Sequence, residues 1–220
     1  RGGGHGDYRM VVLTPATVQE AAQMVIQAFD IADAYRIGVM LLGDGMIGQI
    51  MEPVDFDAIE ANPHKVEKPW ATSGMENHAG RNVVNSLYIQ PDELEVVNLR
   101  LQKKYDAISE KLPDYEAYQT EDADIIVAAY GTMAREKGIK AGMLRAKTVW
   151  PFPEKAFCDA ADGNVKAFLS VEMSLGQMVE DVRLAVNGKK PVEFFGRTGG
   201  IVPTPEEVLS AIERTMEVAK

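Results

Sequence analysis

Gly43-Asp44-Gly45, within MLLGDGMIGQIMEP (40–53), is the cluster whose residue types and spacing first suggest chemistry. An acid between two glycines at the end of an apolar run is how a diphosphate–magnesium site begins. The carboxylate ligates octahedral Mg²⁺, and the glycines let backbone N–H groups approach phosphate oxygens. Such a site needs a second oxygen ligand, an Asn side chain, from another strand end downstream. About 25 to 30 residues on from Gly43, where the pattern places that Asn, stands KPWATSG (68–74), which has no Asn and no strand character, while Asn77 and Asn82 lie beyond it in polar sequence. MIGQIMEP also lacks the helix that would carry the phosphates. On spacing, Gly43-Asp44-Gly45 reads as a strand-end turn, and no metal ligand is assigned to it.

The other clusters are weaker. RGGGHGDYR (1–9) sets His5 and Asp7 among glycines, where backbone can approach a ligand closely. A histidine in a glycine-rich segment is equally a solvated one. His64 and His78 stand far from it without metal-ligand spacing. Tyr130-Gly131-Thr132 and GRTGGIVPTPEE (196–207) fall at strand ends, where open α/β sheets bind ligands. The helix start after Thr204 suits an anion or merely its own cap. Glu172, in VEMSLGQMVEDV, contacts a partner or marks a turn. Trp150-Pro151-Phe152-Pro153 is a rigid aromatic corner, read as packing first and as an interface second. No GxSxG, HExxH, Walker or GxGxxG pattern occurs.

These clusters hang on an alternation of strands and helices. A strand over Tyr8–Thr14, a helix from Val18 to about Tyr35 and a buried strand over Val39–Leu42 make half of an α/β unit. Thr17 and Glu20 fit a capping box, and the helix is apolar around enough of its circumference to be covered on more than one side. So short a parallel sheet needs further strands, from upstream sequence or another chain. From Glu52 to Gln119, proline-punctuated polar sequence reads as an extended linker. It holds one charged helix, Pro91–Lys111, with Leu94, Val97, Leu101, Tyr105 and Ile108 on one stripe. Strands at 125–130, 143–149, 165–171 and 192–195, with helices at 175–186 and 205–218, then predict a parallel, doubly wound sheet. Between the strand ending at Tyr130 and the next, which begins near Ala141, only GTMAREKGIK intervenes, whereas a right-handed crossover needs roughly a dozen residues or more, with a helix of several turns. Residues are therefore expected to be missing between Thr132 and Met133. The glycine-rich, Met-less opening likewise predicts a chain that continues upstream of Arg1. The expected division is 1–57, 58–119 and 120–220.

Composition narrows the function classes. The 220 residues carry a formal charge of -10, spread along the chain, which repels phosphate backbones and argues against a nucleic-acid partner. No run approaches the length of a membrane span, and no membrane association is expected. The single cysteine, Cys158, leaves no internal disulfide and no cysteine-ligated iron–sulfur cluster or CxxC zinc site on this chain by itself. The expected compartment is the cytoplasm, and any redox centre is expected on another polypeptide.

Taken in order, GHGDYRMVVLTPATVQEAAQMVIQAFDIADAYR, VMLLGDGMIGQIMEPV, TEDADIIVAAYGT, KTVWPFPEKAF, VEMSLGQMVEDVRLAVNGK and GRTGGIVPTPEEVL resemble the 2-oxoacid:ferredoxin oxidoreductases along the whole chain. The likeness is to the alpha subunit of the branched-chain, ketoisovalerate type, as a C-terminal fragment. It implies an α/β fold: part of a thiamine-diphosphate pyrimidine-binding module, then a parallel domain like the transketolase C-terminal domain. It implies oxidative decarboxylation of a 2-oxo acid to an acyl-CoA, with electrons passed to ferredoxin. Thiamine diphosphate and Mg would be shared with a beta subunit, which carries the diphosphate–magnesium module. Iron–sulfur clusters would sit on other subunits, and the partners would be beta, gamma and ferredoxin-like subunits, ferredoxin, coenzyme A and a second copy of the chain. The catalytic groups would lie upstream, so none is assigned here. Arg1, His5 and Asp7 match a loop near the active-site mouth and are carried only as its neighbours. The competing readings are a non-catalytic assembly or scaffold subunit and a transketolase or 2-oxoacid dehydrogenase beta-type subunit.

Overall fold

The computed structural model describes residues 5–59, 67–72, 74, 80–131 and 141–219. Arg1, His64, His78 and the expected gap after Thr132 lie outside them. Two sheets organise the chain. The smaller has the order β2-β1-β6, with β1 (Val11–Leu13) parallel to β2 (Val39–Leu41) and antiparallel to β6 (Thr148–Trp150). The larger has the order β3-β5-β4-β7-β8. Here β5 (Gly142–Ala146), β4 (Ile125–Ala129), β7 (Ala167–Glu172) and β8 (Val192–Gly196) are parallel, and β3 (Tyr115–Tyr118) runs antiparallel along the edge. The expected mixed α/β architecture is present.

The core of the larger sheet follows from its sequence. β4 and β7 are buried along their whole length, and β4 is apolar without alternation, because both their faces are covered. One face packs α3 (Glu154–Asp162) and α4 (Met178–Val186), with Phe152, Phe157 and Phe168 in ring contact. The other packs α5 (Pro205–Val218) through Val208, Ala211 and Ile212 against Val127, Leu169 and Val171. Thr204 begins α5 with a complete capping box: its hydroxyl accepts the Glu207 N–H and the Glu207 carboxylate accepts the Thr204 N–H.

The smaller sheet departs from expectation in several places. The single strand foreseen at 143–149 is two strands, β5 and β6, parted at Lys147 and belonging to different sheets. β2, expected to be buried, is an exposed edge, with Met40, Leu41 and Leu42 in contact with solvent. α1 (Val18–Tyr35) buries Met24 and Ile31, yet Phe29 is 71% exposed and Val25 is open too, so one side is uncovered. α2 (Pro91–Lys111) packs only its C-terminal half, Tyr105 and Ile108 with Leu101 beside them, under β1 and β6, where Tyr105 meets Trp150 edge-on. Leu94 is exposed. The stretch read as linker contributes β3 to the larger sheet. Its start also folds back over α1: the Glu52 carboxylate accepts the Val18 N–H at 2.9 Å, and Asp55 exchanges backbone bonds with the Gln19 amide.

One joint ties the sheets together. Arg145 on β5, 4% exposed, gives Nη1 and Nη2 to the Glu20 carboxylate at 2.9 and 2.8 Å, and Nε to Glu116 on β3 at 2.8 Å. The Thr17 hydroxyl accepts the Glu20 N–H, as a capping box requires. The Glu20 carboxylate, however, reaches past Thr17 to the Ala16 N–H at 2.7 Å, freeing it to meet Arg145. Thr14, just after β1, bonds the other side of the joint through its N–H and hydroxyl to the carbonyls of Ala146 and Lys147. Burial pushes the Glu20 carboxyl up, but the Arg145 hydrogen bonds, the Ala16 N–H and the charges of Arg145 and Lys147 outweigh it. They hold it below its ordinary 4.5. A carboxyl depressed in the folded state stabilises above its unfolded pKa and loses that contribution as pH falls through the folded one. Stability should therefore fall as pH drops from about 4.5, and Glu20→Gln should flatten that slope in urea titrations at stepped pH; an unchanged slope would sink this assignment.

Candidate functional site

The C-terminal ends of β2, β4 and β7 meet at a cleft of about 130 Å³. Gly43 and Asp44 form one wall, Tyr130 and Gly131 a second, and Glu172 and Met173 a third. In open α/β sheets this is the end at which ligands bind, and here two sheets present it to one another.

Asp44 reaches the cleft from a turn it organises itself. Its Oδ1 accepts the N–H groups of Met46 and Ile47 at 3.1 and 2.9 Å, and its carbonyl accepts the Gly48 N–H. Short acidic side chains hold turns in this way. Gly131 faces it with φ +59°, and a Cβ there would stand 3.1 Å from Asp44 Oδ2. The absence of a side chain thus permits both the left-handed backbone and the close approach of the two turns.

Glu172 is fully buried and saturated. Its oxygens accept the hydroxyls of Ser170 and Ser174 and the N–H groups of Gln177, Met178 and Val179, at 2.8 to 3.1 Å. The last three are orphan donors at the start of α4, so the carboxylate is that helix's cap and complements its dipole. Of the two sequence readings of Glu172, the turn is the one the geometry supports. Tyr130 sits between the acids: burial raises its phenol, and the charges of Glu172 and Asp44 raise it further.

The residues around the cleft do not fit a diphosphate–magnesium group. Two carboxylates repel phosphate, and one oxygen of Asp44 is engaged by backbone donors. The helix N-termini that would attract phosphate are taken by acids, α4 by Glu172 and α1 by Glu20 and Glu52. Among the described residues no group of three or more His, Cys, Asp and Glu side chains is arranged to hold a metal ion. The helix start after Thr204 is likewise filled by its own capping box.

His5 and Asp7 are exposed and precede β1, at the end of the smaller sheet opposite Gly43-Asp44-Gly45. Asp7 lies against α2, lining a shallow groove with Leu94, Asn98 and Gln102. The structure does not bring these two residues to the cleft. Sequence reasoning found Glu20 only as a cap and missed Arg145 and their pairing, although an arginine inside the apolar strand GMLRA is the kind of buried charge that demands partners. Glu172→Gln would turn an N–H₂ donor toward a cluster of donors. It should cost about 3 kcal/mol, read as a lowered denaturation midpoint with the m-value retained; a neutral result would mean the carboxylate is not the helix cap.

Comparison with known proteins agrees with this architecture. The profile described as "Pyruvate flavodoxin/ferredoxin oxidoreductase, thiamine diP-bdg" matches residues 4–134, more than half of the chain. "Pyruvate:ferredoxin oxidoreductase core domain II" matches residues 123–208. The ketoisovalerate oxidoreductase subunit VorB of Methanothermobacter thermautotrophicus is 42% identical over the whole chain, which spans 63% of that protein's length. The 2-oxoglutarate synthase subunit KorA of Methanothermobacter marburgensis is 31% identical over 96% of the chain, which spans 65% of its length. A solved 2-oxoglutarate:ferredoxin oxidoreductase from Magnetococcus marinus shares the fold, with a TM-score of 0.74 and 18% identity over 97% of this chain and 43% of that one. The chain belongs to the pyruvate flavodoxin/ferredoxin oxidoreductase family, matching its thiamine-diphosphate-binding domain over residues 4–134 and its core domain II over residues 123–208.

Proposed function

We propose that this chain is part of the alpha-type subunit of a thiamine diphosphate-dependent 2-oxoacid:ferredoxin oxidoreductase acting on branched-chain 2-oxo acids. The observation that carries the reading is the 42% identity to a ketoisovalerate oxidoreductase subunit along the entire chain, against 31% for a 2-oxoglutarate relative. Residues 1–57 would close the pyrimidine-binding module, 58–119 would connect, and 120–220 would form the transketolase C-terminal-like domain. Arg1, His5 and Asp7 would neighbour the active-site mouth, and His5 and Asp7 lie at the end of the smaller sheet away from the acidic cleft.

The cofactor, when bound, supplies the carbanion chemistry that releases CO₂ from a 2-oxo acid. No catalytic group is assigned to this chain itself. Its phosphate-repelling cleft supports a diphosphate and Mg²⁺ held by a beta subunit, and its lone cysteine supports iron–sulfur clusters carried by other subunits. Ferredoxin, coenzyme A, gamma and ferredoxin-like subunits and a second copy complete the proposed assembly, in the cytoplasm.

Two measurements test this. The complete subunit, assembled with its partners, should reduce a viologen dye fastest with ketoisovalerate; faster turnover of pyruvate or 2-oxoglutarate would overturn the substrate class. The 220-residue chain alone should reduce none, and calorimetry should detect no thiamine diphosphate binding with Mg²⁺ to it or to Asp44→Ala. Tight binding lost in Asp44→Ala would make Gly43-Asp44-Gly45 a metal site after all.

A further inference from the structure

The Arg145 joint stands one step from both walls of the acidic cleft. On the second-sheet side, Arg145 is in register with Ala129 of β4, the residue before Tyr130-Gly131. On the first-sheet side, Arg145 holds Glu20, which holds the Ala16 N–H. Thr14 is bonded to Ala146 and Lys147, and the neighbouring Leu13 carbonyl accepts the Leu42 N–H, the residue before Gly43-Asp44. The guanidinium thus clamps the start of α1 to β5, and backbone pairing carries that position on to each wall, from β5 to β4 on one side and from Thr14 and Leu13 to Leu42 on the other.

We propose that Arg145 is a positioning residue of the enzyme: it sets the offset between the two sheets, and through it the juxtaposition of the turns at Asp44 and Tyr130-Gly131. This rests on the functional reading above. Only a guanidinium meets the demand. Its planar fork gives two parallel N–H groups to one carboxylate and Nε to another, whereas an ammonium is a point charge without fixed directions. Glu20 and Arg145 come from elements far apart in sequence, and Lys147 and Asp114 add weaker attraction at 3.5 to 3.9 Å without fixing an angle. An apolar pair of similar size would stabilise the fold about as well as a buried ion pair. Geometry is what the ion pair adds.

The experiment separates position from stability. Spin labels at Gln27→Cys on α1 and Asp159→Cys on α3 are attached to the complete subunit before it is assembled with its partners, in a Cys158→Ser background with any other reactive cysteine of that subunit likewise replaced. They report the distance between the two units in the assembly. The unaltered joint should give one narrow distribution. Arg145→Met with Glu20→Gln should keep the melting temperature close to that of the parent, yet broaden or shift the distance. It should also lower kcat about tenfold or more with KM changed less. Arg145→Lys, which keeps the charge and the stem, should do the same and serves if the double variant fails to fold. A narrow, unshifted distribution in either folded variant overturns the proposal whatever the activity. If the parent assembly turns over no 2-oxo acid, the functional reading fails, and the distances still decide the role of Arg145.

Discussion

A guanidinium inside a sheet is the constraint around which this molecule is arranged. Removed from water, Arg145 would be prohibitively costly unless its N–H groups were met by charge, and two carboxylates meet it. Glu20 serves twice, closing the first turn of α1 and anchoring the strand of another sheet. Three strands of three residues with an open edge are marginal by themselves. The place of the smaller sheet beside the larger one is fixed where its helix start is bolted to β5.

The cleft beside this joint shows acids used as architecture. Asp44 ties a turn and Glu172 ties a helix start, each turning a carboxylate toward backbone N–H groups. Such groups are what a phosphate would seek, so the same atoms that hold the fold occupy the places where an anionic cofactor would dock. The glycine-flanked acid copies the look of a metal site because both jobs require a short carboxylate at a strand end with backbone free to approach.

The larger unit was legible in its residues. IIVAA is apolar without alternation, the strand expected at 165–171 is β7, Thr204-Pro205-Glu206-Glu207 is a helix start, and all three are found as such. Local patterns of this kind report on a residue's own neighbourhood. What escaped them was set by distant partners. MLRAKTVW carries no mark of the point where a strand leaves one sheet for another. YEAY looks like loop because an edge strand has one bonded side and exposed side chains. VML resembles a buried strand because its apolar residues say nothing about which of its sides is covered. The joint is the clearest case: Glu20 satisfies a local capping pattern at 20, and only the fold places Arg145 within its reach. Gly43-Asp44-Gly45 was read as a turn from the lack of an Asn at the right spacing, and the turn is there.

The exchange of β6 into the smaller sheet ties the order of assembly to the order of synthesis. β1 pairs with β2 nearby, but its other edge waits for residues 148–150, far along the chain. Until those emerge, one side of β1 has open N–H and carbonyl groups, and α2 has no Trp150 against which to set Tyr105. Contacts so distant in sequence carry a large loop-closure entropy and form late. The two sheets therefore cannot mature as beads on a string, one finished before the next begins. The first is completed by a strand that the second lends it.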